Sequence, residues 1–323
     1  MLACMRRRKA TWYAVCGCGY CSTVPDLPSS LTQFVKLGKR LAQPGEPSPA
    51  DLALLQEWLL AYDTPLTYVT QRLSQAGLHP VHRIKTTPVL IEKLRRSPGI
   101  AITHIRDIAG ARVVVPDMKI PAGTVLPTQD GPPLTLMRDV PVSVGGLFGQ
   151  EAFVRIITDI FTHDRCTKPA KLVDHIKEPN HGYRAKHVVV YPDGLPVEIQ
   201  IRTPLQHQWA ELNEKLGDRW GRGLRYGDGP DNPDHPIPSE TSFTRRDFVD
   251  NLQRLGKAIA TLEKFNNEIQ TIEMRVGCLE ESSISSELLN ALQDARAVHH
   301  VQNRNMSAML ETLLGIVDRL ETL

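Results

Sequence analysis

Charge of one sign is missing from this chain. Its 38 Lys and Arg stand against 36 Asp and Glu, a formal net charge of +2 over 323 residues. No global field draws such a protein onto nucleic acid, so any polyanion site has to be a local patch. Aromatic residues are scarce at 6%, which leaves few rings for base stacking and makes each placed tyrosine or tryptophan count. No apolar run approaches the length of a membrane span. Arg6 to Lys9 followed by Thr11 to Val15 imitates a signal peptide, but the apolar run is too short and is broken by Cys and Gly. Cysteines are also few. Four of the six, Cys4, Cys16, Cys18 and Cys21, crowd the start, while Cys166 and Cys278 stand far apart; a secreted scaffold spreads its cysteines through the fold. The Cys16 to Cys21 run lacks a second ligand pair at zinc-finger spacing and reads as a disordered or mis-started leader. The expected compartment is the cytoplasm.

What is present is the composition of a chain that buries a core: 41% hydrophobic and 23% charged. Residues 1–47 read as flexible leader and linker, with a short helix over 31–43. Pro44-Gly-Glu-Pro-Ser-Pro49 ends in a helix start, Ser48 serving as N-cap and Pro49 entering the first turn. Apolar residues from Leu52 to Leu73 then recur at helical spacing, with a break expected at Pro65 and a stop at Gly77. Thr87 to Arg95 reads as another helix, and Val113 to Val115 as a buried strand. Residues 117–148, rich in Pro and Gly, show no period and read as a long loop or insertion. A helix over Gln150 to Phe161 follows. Strands at His187 to Tyr191 and Val197 to Ile201 are joined by the hairpin signal Pro192-Asp-Gly-Leu195. Leu205 to Leu216 is helical. Beyond a break at 227–240, residues 243–323 form a C-terminal extension of two long helices without a catalytic cluster, expected to be a hairpin packed on the core or on a partner chain. The expected class is α+β, a mixed sheet flanked by helices, with the working domain over 48–227.

Four stretches carry polar chemistry. In Val197-Glu-Ile-Gln-Ile-Arg-Thr203 the strand period of two puts Val197, Ile199 and Ile201 on one face and Glu198, Gln200 and Arg202 on the other. That polar row lines a cleft or is simply the solvated face of an edge strand. Arg106-Asp-Ile-Ala-Gly-Ala-Arg112 sets Asp107 before a glycine turn into a strand and Arg112 upon it, where α/β folds often place sites; an aspartate there also serves as an ordinary cap. Arg83, Lys85 and Lys93 gather about a helix start at Thr87-Pro88, and helix N-termini and basic clusters favour phosphate, unless the three form a solvated basic face. In Asp174 to His187, Gly182 permits a tight approach, Tyr183 offers a ring for stacking and His187 begins the next strand; an ordinary half-buried tyrosine fits the pattern as well.

Taken in order, these motifs resemble the synthetase domain of RelA/SpoT-family (p)ppGpp synthetases: Arg-x-Lys with a second Lys eight residues on, Asp-Ile-Ala-Gly-x-Arg, Gly-Tyr-Arg-x-x-His and Glu-Ile-Gln-Ile-Arg-Thr, over residues 80–227. The resemblance implies a nucleotidyltransferase-like core. It implies transfer of the β,γ-pyrophosphate of ATP to the 3′-hydroxyl of GDP or GTP, with Mg2+ as cofactor. Under it, Arg83 and Arg112 sandwich the ATP adenine and Lys85 and Lys93 hold its phosphates. Asp107 binds the metal, and Glu198 completes that site or acts as base. Tyr183 stacks on the acceptor guanine, His187 contacts phosphate near it, and Gln200 and Arg202 support the site. The pattern departs from the family at Ala185 and Lys186, where Ser and Leu are usual, and at Asn213 and Glu214, where Glu and His are usual. These departures lie toward the acceptor. With neither a hydrolase domain before it nor a regulatory one after it, the chain resembles a small stand-alone alarmone synthetase. Two other readings stay open. One is a toxin of the same family acting on the 3′ end of tRNA, for which Arg219, Arg222 and Arg225, or Arg6 to Lys9, would supply a basic surface. The other is a non-catalytic nucleotide- or partner-binding module, with the C-terminal helices engaging a protein partner or a second copy.

Overall fold

The computed structural model describes residues 29–115, 118–126, 134–142, 147–162, 165–179, 181–237 and 240–319. The leader, with its cysteine cluster and Arg6 to Lys9, lies outside the described residues. Among these no helix is long and apolar enough to cross a membrane.

Three capped helices come first. α1 (Leu31–Leu41) starts at Ser30, whose side chain accepts from the Gln33 amide while the Gln33 side chain reaches back to the Ser30 amide. That reciprocal arrangement satisfies two N–H groups that the helix itself cannot. α2 (Pro49–Leu60) starts at Ser48 with Pro49 in its first turn, as expected. The break expected at Pro65 falls at Ala61 and Tyr62 instead. Pro65 stands in the first turn of α3 (Asp63–Gln75), where a missing N–H leaves no helical bond unmade.

The chain then enters the sheet at β1 (Val81–Ile84), crosses α4 (Thr87–Arg96) and returns as β2 (Ala109–Val114). The 117–148 insertion is not a structureless loop. It contains β3 (Met118–Ile120) paired with β6 (Val140–Val142), and β4 (Val125–Leu126) paired with β5 (Leu134–Thr135), both antiparallel. Strands of two or three residues are too short to show a period. After α5 (Leu147–Ile160) come β7 (Lys171–Asp174), β8 (Lys186–Val190) and β9 (Val197–Arg202). These close a five-stranded sheet in the order β1-β2-β9-β8-β7. The central pair, β2 with β9, is parallel and the other three pairings are antiparallel. The sheet is therefore mixed, and the class is α+β.

Alternation decides which face of the sheet is dry. Val197, Ile199 and Ile201 are fully buried, with Ala109, Ala111, Val113, Val188 and Val190, against Phe34, Trp58, Leu90 and Ile157 of the surrounding helices. α6 (Pro204–Trp220) starts at the Thr203 cap and lies over the other, polar face. A short hairpin of β10 (Pro236–Ile237) and β11 (Glu240–Thr244) leads into α7 (Arg245–Gly277) and α8 (Ser286–Arg319). These two long helices are the expected hairpin, and they pack on the core. Trp209, Leu212 and Leu216 of α6 form one buried cluster with Phe248, Leu252 and Ile259 of α7 and Leu310 and Val317 of α8. The insertion is clamped to the same helix, with Leu136 and Val140 packed on Met274 and the Met137 amide donating to the Gly277 carbonyl at 2.7 Å.

Candidate active site

The parallel register of β2 and β9 brings the expected residues together. Gly110 lies opposite Glu198 and Arg112 opposite Gln200. β8 sets His187 opposite Gln200, and β1 sets Arg83 opposite Gly110. Directly opposed residues share a face, so these side chains share the polar face that α6 covers. The Lys85 amide extends the β1 pairing by donating to the Ile108 carbonyl at 2.8 Å. Asp107 enters β2 from the same end.

Asp107 is gripped by both expected lysines: Lys93 Nζ is 2.6 Å from Oδ1 and Lys85 Nζ is 3.2 Å from Oδ2. Burial alone would raise the Asp107 carboxyl; the two ammonium groups outweigh it and hold it below the ordinary carboxylate range. A group depressed on folding adds stability above its unfolded pKa, near 4, and loses it as pH falls through the folded value. Melting curves of the native chain and of Asp107→Asn against pH are therefore expected to differ at neutral pH and to converge below about pH 4. A difference that persists in acid would show that another group sets the slope.

Glu198 has a different environment. His187 Nδ1 lies 3.3 Å from its Oε2 and the Gln200 amide donates to Oε1 at 2.9 Å. Burial and the nearby Asp107 charge push Glu198 up, but His187 and Gln200 prevail and keep it below its ordinary value. Asp107 and Glu198 thus feel each other's charge across two neighbouring strands. The row continues outward. Arg202 donates to Gln200 Oε1 at 2.8 Å and to the Tyr183 hydroxyl at 3.0 Å, and that hydroxyl lies 2.9 Å from His187 Nε2. Arg202 is 1% exposed, and its Nε and second terminal nitrogen have no hydrogen-bond partner among the described residues. Buried, unpaired guanidinium donors call for an anion. Gly182 sets the entry to this loop at φ +85°, and a Cβ there would stand 3.0 Å from the Trp209 ring, so the position accepts only glycine.

The donor-side arginines are less closely associated. Arg83 is 65% exposed at the rim, its guanidinium 4.0 Å from Glu214. Arg112 donates to His207 Nδ1 at 3.2 Å. Burial and the charges of Arg202 and Arg83 lower the Arg112 pKa against the pull of Glu214 and Glu211. The Glu214 carboxylate also lies 3.6 Å from Arg202, so it neutralises several arginines at once.

Beside this face lies a cleft of about 240 Å³, lined by Arg83, Lys85, Lys93 and Asp107 on one side and by Glu214, Asp218, Arg222, Arg225 and Tyr226 on the other. The sequence reading missed that second wall. Under the tRNA reading Arg222 and Arg225, with Arg219, would supply a basic surface. They turn into the cleft instead, Arg222 pairing with Glu92, and Arg225 lying 2.6 Å from Asp218. His207, Glu211, Glu214 and Asp218 follow one another at steps of three and four on α6 and so share a helix face, which was the available signal; Arg222 lies past the helix end at Gly221.

Among the described residues no three acidic, histidine or cysteine side chains converge as a metal cage. Asp107 and Glu198 offer two hard oxygen donors on adjacent strands. That donor set fits Mg2+ of the kind that keeps its waters and arrives with phosphates.

A family profile for the region found in RelA / SpoT proteins matches residues 82–217. The chain is 32% identical over 221 residues to the uncharacterized protein Rv1366 of Mycobacterium tuberculosis, covering 65% of this chain and 68% of that one. The uncharacterized protein Mb1401 of Mycobacterium bovis matches to the same extent. Among solved structures, small alarmone synthetase 1 of Bacillus subtilis superposes with a TM-score of 0.44 at 20% identity, over 67% of this chain and 96% of that chain.

Proposed function

The chain belongs to the RelA/SpoT family, and from that premise we propose that it transfers the β,γ-pyrophosphate of ATP to the 3′-hydroxyl of GDP or GTP. The observation that carries this reading is the juxtaposition of two differently tuned carboxylates beside a cationic cleft: Asp107 between Lys85 and Lys93, and Glu198 between His187 and Gln200. Phosphoryl chemistry of this kind rests on positioning and on neutralising charge rather than on covalent steps. Lys85 and Lys93 exchange the Asp107 carboxylate for donor phosphate oxygens. Asp107 and Glu198 are the residues that would hold Mg2+, which would polarise those oxygens and offset the charge that develops on them. Glu198, ionised at neutral pH, accepts the hydrogen bond of the attacking hydroxyl and takes its proton as the β-phosphorus is attacked in line and AMP leaves. His187 and Gln200 fix the orientation of that carboxylate, and Tyr183 supplies a ring beside it for the acceptor base.

The inward turn of Arg222 and Arg225 removes two of the cations that a tRNA-binding surface would have used, and this favours a free nucleotide as acceptor. The test is a transfer assay with γ-labelled ATP and Mg2+, offering GDP, GTP and bulk tRNA separately. Label on the guanosine nucleotides is expected. Label on tRNA alone would make the protein a translation-blocking enzyme, and no label on any acceptor would overturn the reading.

A further inference from the structure

Glu214 lines the cleft from α6, and its surroundings fix its direction. Asn213 before it is buried, Lys215 after it pairs with Asp318 of α8 at 2.8 Å, and the Glu214 carbonyl accepts from Arg225 at 2.6 Å. The two carboxylate oxygens face arginines on different strands. One lies 3.6 Å from Arg202 of β9 and the other 4.0 Å from Arg83 of β1. Arg112 stands on β2, the strand between those two, and feels the same charge. One carboxylate therefore serves three guanidiniums. Both distances are longer than a hydrogen bond, so Glu214 supplies charge and leaves donors unfilled. Arg112 Nε and two nitrogens of Arg202 have no hydrogen-bond partner among the described residues.

Without that charge the cleft would offer phosphate two seats. One is the lysine pair around Asp107, the other the arginine cluster around Glu214. The two internal carboxylates differ in their duties. Under the proposed reaction Asp107 is given over to the metal, which releases Lys85 and Lys93 to phosphate. Glu214 has no second duty and stays with its arginines, so a phosphate chain that approached them would meet a like charge within a few ångströms.

We propose that Glu214 is a specificity-determining residue: by neutralising Arg83, Arg112 and Arg202 it denies the phosphate chain of the donor nucleotide the arginine side of the cleft and leaves Lys85 and Lys93 as its seat. The inference rests on the pyrophosphokinase reading and concerns which way round the donor is held. Removing the carboxylate opens a second, unproductive way of holding it. Binding at two seats, of which one is idle, lowers kcat and KM together.

The experiment is calorimetric titration of the full chain with inorganic tripolyphosphate, paired with initial rates of transfer. Glu214→Gln keeps the shape of the side chain and should bind tripolyphosphate on the order of tenfold more tightly than the native protein, as should Glu214→Met, each melting within a few degrees of it. Lys93→Met should weaken tripolyphosphate binding in the native background, whereas the Glu214→Gln, Lys93→Met double variant should still bind it through the arginines. In the rate assay Glu214→Gln should lower kcat and the KM for ATP by similar factors, leaving kcat/KM nearly unchanged. No gain in tripolyphosphate affinity in either Glu214 variant, a gain that vanishes when Lys93→Met is added, or a loss confined to kcat/KM overturns the inference and leaves the pyrophosphokinase reading intact. A native protein that transfers no pyrophosphate overturns that reading, and the titrations still decide whether Glu214 closes the arginine seat.

Discussion

Asp107→Asn is expected to abolish pyrophosphate transfer while nucleotide binding survives. The substitution keeps the shape of the side chain and removes its charge. Under the proposed reaction, transfer then loses one of its two metal-holding carboxylates, a fall on the order of a thousandfold or more, comparable with removing a principal charge-stabilising group. Binding should move the other way when Mg2+ is withheld. Lys85 and Lys93, at 3.2 and 2.6 Å from the carboxylate, no longer have an internal anion to prefer over phosphate, so ATP is bound as tightly as before or more tightly. The fold tolerates the change, because the Asp107 side chain is 28% exposed and partly exposed ion pairs contribute about 1 kcal/mol or less. Glu198→Gln is expected to lose transfer to a similar degree. Initial rates, equilibrium binding and melting measured on the same preparations separate the effects. Full transfer by both variants would sink the proposed chemistry.

The second large effect concerns stability. Glu263, on α7, is buried among Thr203, Gln206 and Arg184. The Thr203 hydroxyl donates to it at 2.6 Å, the Gln206 amide at 2.9 Å, and Arg184 Nε lies 3.7 Å away. Burial pushes the Glu263 carboxyl above its ordinary value against these partners. Thr203 and Gln206 form the cap of α6, Gln150 of α5 donates to Gln206 at 2.9 Å, and Arg184 follows Tyr183. One carboxylate therefore holds the helix that covers the site, the helix behind it and the tyrosine loop. Glu263→Ala strands these donors in the interior and is expected to cost about 3–5 kcal/mol, on the order of 10 °C in melting temperature. Deleting residues 243–323 goes further, since it bares Trp209, Leu212 and Leu216, which are at most 2% exposed in the whole chain. The shortened chain is expected to be insoluble or unfolded by circular dichroism. A soluble fragment that still transfers pyrophosphate would show that the C-terminal helices only decorate the core.

The sequence made the central strands readable for a physical reason: β9 is apolar on one face and polar on the other, and its parallel neighbour β2 carries the apolar pair Val113 and Val114; the glycine turn expected before it is itself strand, Gly110 pairing opposite Glu198. It hid β1 and β7 because they are edge strands. In β1 only Ile84 is even half-buried, so no hydrophobic alternation is imposed. The cationic half of the cleft could be read from Arg83, Lys85 and Lys93. The opposite wall could not, because acids and arginines on the last turns of a helix look like a solvated face until a neighbour closes over them. Glu263 did leave a trace. Leu252, Gly256, Ile259, Glu263, Asn266, Gln270 and Glu273 follow one another at steps of three and four and are buried together. Polar residues on such a stripe signal a network inside the fold, although the helix holds no catalytic motif.

The clasp at Glu263 also sets a clock. A ribosome emits Thr203 with the last sheet strand, but the partner of Thr203 lies 60 residues later. At about 5–20 residues per second the gap lasts roughly 3–12 s, during which the sheet and its lysines exist without the clasp that seats the covering helix. Under the proposed reaction, use of ATP is expected to wait until the distal helix has been made, and a chain that ends before Glu263 is expected to be inactive.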